Sequence, residues 1–206
     1  MTETQFRIIA PDFRKGTDFT CGAYSVIGEN VIVGNGVSIG HNVILSDGVR
    51  LGDNVTVESF TFVGRSAVIG AGTKVGTHCK IGEGVMVGER CSFTAYCEIR
   101  DQCTVGDEVK MGSRCTLSAG AIVGDQVIIK YGFVLTDTPV LSRSGEKSVG
   151  SLGRGSRFGA NVTIMPGVTI GEDAEIGACS QVRKDVPSGE IWFGQPARFH
   201  KRTCEI

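Results

Sequence analysis

Apolar residues recur at every sixth position along most of this chain. Stepping by six from Ile27 visits Val33, Ile39, Leu45, Leu51, Val57, Val63, Ile69, Val75, Ile81, Val87, Phe93, Ile99, Val105, Met111, Leu117, Val123, Ile129 and Leu135, and all 19 places are apolar. With 41% hydrophobic residues, chance would fill about 8 of them. Two residues before an anchor stands a small or β-branched residue such as Val31, Val37, Thr61, Ala67 or Thr73, and the residue after it is Gly in 12 of the 19 hexads. Two inward positions flanking one outward position make a short strand, and the Gly is read as its turn. The expected fold is all-β, a hexapeptide-repeat parallel β-helix whose triangular coil takes three strands and 18 residues.

The frame breaks after Leu135 and resumes one residue out of phase as Leu152, Phe158, Ile164, Ile170, Ile176 and Val182. We therefore expect an N-terminal lead-in over 1–20, coils over 21–136, an ejected loop over 137–151, C-terminal coils over 152–186 and a short tail over 187–206. The hexads amount to about eight coils, and a long loop leaving a regular solenoid is often functional. At a spacing of 18, one corner of the prism holds Gly34, Gly52, Gly70, Gly88, Gly106 and Gly124. Glu58, Thr94 and Lys130 depart from Gly on a second corner, and Ser46, Arg100, Ser118 and Thr136 on the third. Either tight turns tolerate polar residues at these two corners, or the corners face neighbouring subunits or ligands.

Composition removes several classes of function. Twenty-one basic residues balance 22 acidic ones for a formal charge of −1, so the electrostatic footprint of a nucleic-acid binder is missing. No apolar run is long enough to span a membrane, and the polar N-terminus lacks a cleavable apolar leader, so a cytoplasmic protein is expected. Glycine, at 30 of 206 residues, lacks the period of three that collagen needs. Eight cysteines would suggest a disulfide framework in a small secreted chain. Here Cys79, Cys91, Cys97, Cys103 and Cys115 all fall on the small inward position and Cys21 on an anchor, which makes them packing residues. Cys179 and Cys204 are the expected exposed thiols.

The stretch from Arg157 to His200 resembles the last coils and tail of the left-handed β-helix acyltransferases. The resemblance runs through Gly159-Ala160-Asn161, Pro166-Gly167, Lys184-Asp185-Val186-Pro187 and Gly194-Gln195-Pro196-Ala197. It implies a homotrimer with acetyl-coenzyme A as cosubstrate in a groove between adjacent prisms. On that resemblance Gly159, Ala160, Gly177, Ala178 and Pro196 form the wall along the cofactor. Arg183, Lys184 and Arg198 are candidates to meet its phosphates, since cations suit anionic oxygens.

Residues 130–143, KYGFVLTDTPVLSR, resemble a narrower branch that acetylates amino groups of nucleotide-linked deoxysugars. In that branch an Asn follows the Thr and lies beside the sugar amine. Here Asp137 follows Thr136, which turns a hydrogen-bonding place into a candidate general base. The loop offers Arg143, Lys147 and Arg154 as contacts for a substrate diphosphate. His78 is the rival base, because THCKIGEG resembles the HxCxIG segment of sugar acyltransferases whose histidine takes the proton. It lies over five coils from the C-terminal end of the prism, and His41 lies further still. Alternatives are O-acetylation of a sugar or small-molecule hydroxyl, or a non-catalytic assembly module. A metal-dependent hydratase is disfavoured, since His41, His78 and His200 show no ligand spacing, and no metal is expected.

Overall fold

A computed structural model describes residues 6–140 and 147–205. It is a left-handed parallel β-helix of about ten turns, made of three parallel sheets with 10, 9 and 11 strands. Face A runs from Ile8–Ile9 to Gln181–Val182, and face B from Arg14–Lys15 to Thr169–Ile170. Face C runs from Thr20–Cys21 to Glu175–Ile176 and is then extended by Glu190–Gly194 and Ala197–Arg202. Corners are named here by the faces they join, so that corner AB follows a face A strand.

Each regular coil strand is two residues long, the first outward and the second an anchor in the core. Pairing is in register at a step of 18, as in Phe62↔Lys80 and Val63↔Ile81. The small inward residues join the anchors in one continuous apolar column. The coil begins earlier than the apolar count implied, at Ile8 within the expected lead-in, which raises eight coils to about ten. Lys15 hid this turn. It occupies an anchor place, yet it is exposed and sets its ammonium 5.3 Å from the Phe19 ring centroid at the open end.

The glycines after the anchors are not the left-handed residues of the turns. Positive φ falls two residues later, where 17 non-glycine residues such as Asn30, Phe60, His78 and Tyr96 adopt it. The glycine after the anchor is required by stacking: a Cβ on Gly70 would lie 2.5 Å from the carbonyl carbon of Gly88 in the next turn.

The inserted loop shows as a change of pairing step. Ile122 pairs with Ser151 and Ile129 with Phe158, after which the 18-residue step returns at Ser151↔Thr169. The tail is a built cap. Glu190–Gly194 pairs parallel with Glu175–Ile176, turns back antiparallel onto Ala197–Arg202, and packs Trp192 against the end of the core.

Candidate functional site

Aspartate is common at the first turn residue after an anchor–corner pair, where it has a structural task. Asp47, Asp53, Asp101, Asp107 and Asp125 each accept, at 2.7–3.0 Å, the N–H of the residue 18 positions earlier. That bond satisfies a corner amide which the sheets leave unpaired. Asp137 holds the same turn place on corner AB and does something else. Ala119, the residue 18 before it, sends no N–H to its carboxylate. Instead Thr138 donates its hydroxyl to Asp137 Oδ1 at 2.9 Å, and Lys147 Nζ stands 3.6 Å from Oδ2.

Asp137 is 7% exposed, and its Oδ2 has no hydrogen-bond partner among the described residues. The chain leaves the coil at Thr138 and returns over this corner, where Ser148 N–H donates to the Asp137 carbonyl at 2.7 Å. The ammonium contact with Lys147 is an ion pair too long to be a hydrogen bond. The result is a buried carboxylate whose Oδ2 makes no hydrogen bond among the described residues and is ion-paired with Lys147.

The other substrate candidates do not gather around it. Thr136 donates its hydroxyl to the Ile164 carbonyl at 2.7 Å and so serves the coil. Lys147 faces Asp137, Arg154 sits on corner BC, and Arg143 lies outside the described residues. Arg183 and Lys184 follow a face A strand and share corner AB with Asp137; Arg183 Nε donates to Gln181 Oε1 at 2.7 Å.

The expected cofactor wall lies on a different corner. Gly159-Ala160 and Gly177-Ala178 follow face C strands on consecutive turns of corner CA. A Cβ on Gly159 would stand 2.5 Å from Ala178 N, and one on Gly177 2.7 Å from Phe193 Cβ. A groove of about 340 Å³ runs beside them, with Lys130, Arg157 and Ile191 among its lining residues. Pro196 and Arg198 belong to the hairpin cap, where Arg198 Nη1 donates to the Ala197 carbonyl at 3.1 Å. Within one prism, then, the wall and Asp137 are separated by the width of face A.

His78 shares corner CA with the wall but not its level. The left-handed turn places of this corner run His78, Tyr96, Arg114, Gly132, Asn161 and Cys179, five turns that span about 24 Å. Its ring is stacked between Phe60 and Tyr96, at centroid distances of 4.9 and 4.8 Å, and its Nδ1 lies 2.9 Å from Thr77 Oγ1. The 18-residue spacing of Phe60, His78 and Tyr96 carried this ladder, which the sequence reading missed.

The inward cysteines are buried as expected, and they carry a polar task besides. Cys91 Sγ donates to the Gly106 carbonyl at 3.1 Å, and Cys97 Sγ to that of Gly112 at 3.1 Å. Thr61 and Thr73 use their hydroxyls in the same way on Gly76 and Gly88. Burial pushes the Cys91 and Cys103 thiols up, while the hydrogen-bonded Cys115 thiol, together with burial, pushes Cys97 up to about 11. Cys179 and Cys204 are exposed. Among the described residues no group of three His, Cys, Asp or Glu side chains could hold a metal ion, and no helix is long and apolar enough to cross a membrane.

The coil and its corners define a class, the left-handed β-helix built from hexapeptide repeats. Residues 30–65 and 151–184 match the family described as bacterial transferase hexapeptide (six repeats), and residues 51–151 match the GMPPB C-terminal domain. Over residues 30–65 and 151–184 the chain is similar to hexapeptide-repeat transferases. It is similar to a UDP-3-O-acylglucosamine N-acyltransferase of Caulobacter sp. (strain K31), 47% identical over 51 residues, 25% of this chain and 15% of that protein. A Lysinibacillus sphaericus protein named "Probable macrolide acetyltransferase" is 43% identical over 65 residues, 32% of this chain and 36% of that protein. The chain thus spans between 15% and 36% of the length of these curated relatives. Among solved structures, a UDP-N-acetylglucosamine acyltransferase from Campylobacter jejuni superposes with a TM-score of 0.61 at 18% identity, over 97% of this chain and 74% of that one, and so shares the fold.

Proposed function

We propose that the protein is an acyl-coenzyme A-dependent acyltransferase, which moves acetyl from acetyl-coenzyme A to the amino group of a nucleotide-linked deoxysugar. It works as a soluble cytoplasmic homotrimer. The observation that carries this reading is Asp137, which is buried, has an Oδ2 that makes no hydrogen bond among the described residues and is ion-paired with Lys147, and is released from the amide-pairing task of five other corner aspartates. A proton acceptor is what an amine needs when it attacks a thioester. The amine nitrogen adds to the carbonyl carbon, Asp137 takes a proton from that nitrogen, and the C–S bond breaks as the new C–N bond completes. Coenzyme A leaves as its thiol after protonation of the sulfur. Gly159, Ala160, Gly177 and Ala178 let the pantetheine arm approach the backbone, and Arg183, Lys184 and Arg198 supply positive charge for its phosphates.

The test incubates the protein and acetyl-coenzyme A with a panel of nucleotide-linked amino sugars and hydroxyl acceptors, following thiol release. Amino sugars should turn over. Asp137→Ala should lower turnover by about tenfold or more while calorimetric binding of coenzyme A is unchanged. An unimpaired Asp137→Ala beside an inactive His78→Ala would move the base to His78. Turnover of hydroxyl acceptors alone would replace N- by O-acylation.

A further inference from the structure

Asp137 is out of an acceptor's reach as the chain is folded. Its Oδ2 is buried and makes no hydrogen bond among the described residues, its Oδ1 holds the Thr138 hydroxyl at 2.9 Å, and its side chain is only 10% exposed. A neighbouring group must move before an amine can touch it. We propose that this group is the Lys147 ammonium and that a diphosphate on the acceptor draws it away, so that Lys147 selects diphosphate-bearing acceptors. This rests on the amine-acetylating reading above and assigns the specificity of that same site.

Two features single out Lys147. The first is a contrast with Asp47, which holds the same turn place on the same corner and has its Oδ2 3.5 Å from Arg65. That pair is open to water on both sides, with side chains 65% exposed at the arginine and 50% at the aspartate, and Glu29 N–H also holds the carboxylate. The pair at Asp137 is lopsided, with Lys147 59% exposed and Asp137 10%. The ammonium therefore stands towards solvent with the carboxylate behind it. The second feature is how the two partners are held. Ser148, next to Lys147, donates its N–H to the Asp137 carbonyl at 2.7 Å and accepts Gly167 N–H at 2.9 Å, and Val149 packs against the core. With the backbone pinned there, the part left to turn is the lysine side chain, a point charge with three donors on a flexible four-carbon stem.

Charge balance decides which acceptor can turn it. A plain amino sugar brings one ammonium to a carboxylate that already has one, so its entry must send Lys147 into water. A diphosphate-linked amino sugar brings an ammonium and an anion together. Lys147 passes to a phosphate oxygen and the acceptor nitrogen takes its place at Oδ2, so each charge exchanges one partner for another. Lys147 gains by the exchange: at 3.6 Å its present contact is too long for a hydrogen bond, whereas a phosphate oxygen accepts a charge-assisted one. Lys147 stays charged throughout, and the proton lost by the attacking nitrogen goes to Asp137.

Calorimetry with inorganic pyrophosphate reads the exchange without any turnover. Asp137→Asn removes the charge that holds Lys147, so it should bind pyrophosphate about tenfold more tightly than wild type, and the same change in a Lys147→Met background should have no effect. Equal effects in the two backgrounds, or none in either, would overturn the exchange. Thiol release from acetyl-coenzyme A then compares a nucleotide-linked amino sugar with the same sugar lacking phosphate. Lys147→Met should raise the KM for the first about tenfold and increase kcat/KM for the second severalfold, because the carboxylate is uncovered, while Lys147→Arg keeps the wild-type order. A Lys147→Met protein that loses both acceptors by the same factor, or neither, would overturn the selecting role. Pyrophosphate coupling between Lys147 and Asp137 in a protein that acetylates no amine would uphold the exchange and remove the acetyltransferase reading beneath it.

Discussion

Two glycines on one corner should respond in opposite ways to a side chain, although both belong to the same repeat. Gly70 follows an anchor on corner BC, where every coil from Gly34 to Gly171 has glycine. A Cβ there would stand 2.5 Å from the carbonyl carbon and oxygen of Gly88 and 2.7 Å from Glu89 N. Ordinary contact begins near 3.4 Å, so adjacent turns would have to part locally by about 0.9 Å. That stretches Gly70 N–H to Val87 O and Arg90 N–H to Ala71 O, both 2.8 Å. Overpacking costs about 1–3 kcal/mol and a weakened hydrogen bond about 1, offset by roughly 0.5 kcal/mol from a stiffer unfolded chain. Gly70→Ala should therefore lose about 2–3 kcal/mol.

Gly72 carries the positive φ of this turn, +70°, but a Cβ on it would meet nothing nearer than Arg90 Cγ at 3.5 Å. Asn30, Asn42 and Asn54 hold the equivalent place at φ 54–57°. Gly72→Asn should stay within about 0.5 kcal/mol of wild type. Urea unfolding followed by circular dichroism gives the global value, and amide exchange at Val87–Arg90 reads the same turns locally, as suits a solenoid. A Gly70→Ala protein as stable as wild type beside a destabilised Gly72→Asn would refute the stacking account and restore the glycine after the anchor as the turn residue.

Two further consequences concern the inward polar column. Thr73 accepts the Cys91 N–H at 3.0 Å and donates to the Gly88 carbonyl at 2.9 Å, so Thr73→Val should cost about 1 kcal/mol in urea unfolding whereas Thr73→Ser should recover most of it. Cys97 is a thiol pushed up to about 11 from an ordinary 9.0; it stays neutral in the folded protein while its unfolded counterpart ionises. Its stabilising contribution is complete below pH 9.0 and fades as pH rises towards about 11. Cys97→Val should accordingly flatten the decline of the thermal midpoint over that interval, and parallel curves for the two proteins would exclude the linkage.

The fold was legible because the repeat is redundant. Any one anchor is ambiguous, but 19 apolar places in step specify a strand, a phase and a partner 18 residues away. What failed were places where the pattern names a residue type without its reason. Lys15 breaks the column at the open end, where an inward neighbour above is lacking, and so a turn that folds like the rest was read as lead-in. Glycine after the anchor signals a bend in most short-range codes. In this solenoid it reports how closely the next turn passes, a long-range fact that only stacking reveals. The cysteines were placed by phase, yet the carbonyls they serve lie 15 residues on, at the next coil's corner.

The candidate site was legible to a smaller degree, and its own geometry says why. Asp137 occupies a turn place that Asp47 and Asp101 also hold on the same corner, so residue type and phase cannot separate them. Their difference lies in a bond that one fails to make. Asp47 and Asp101 are fixed by an amide of the preceding turn, while at Asp137 the departing loop redirects the carboxylate to Thr138 and Lys147 and buries it. Interrupting the repeat frees this carboxylate from the amide bond that Asp47, Asp53, Asp101, Asp107 and Asp125 each make in holding the stack. The same interruption leaves the phase of the anchors after Leu152 unaltered on their own faces. Asp137 can therefore be released without moving Gly159 or Gly177 off corner CA, and the width of face A continues to separate them.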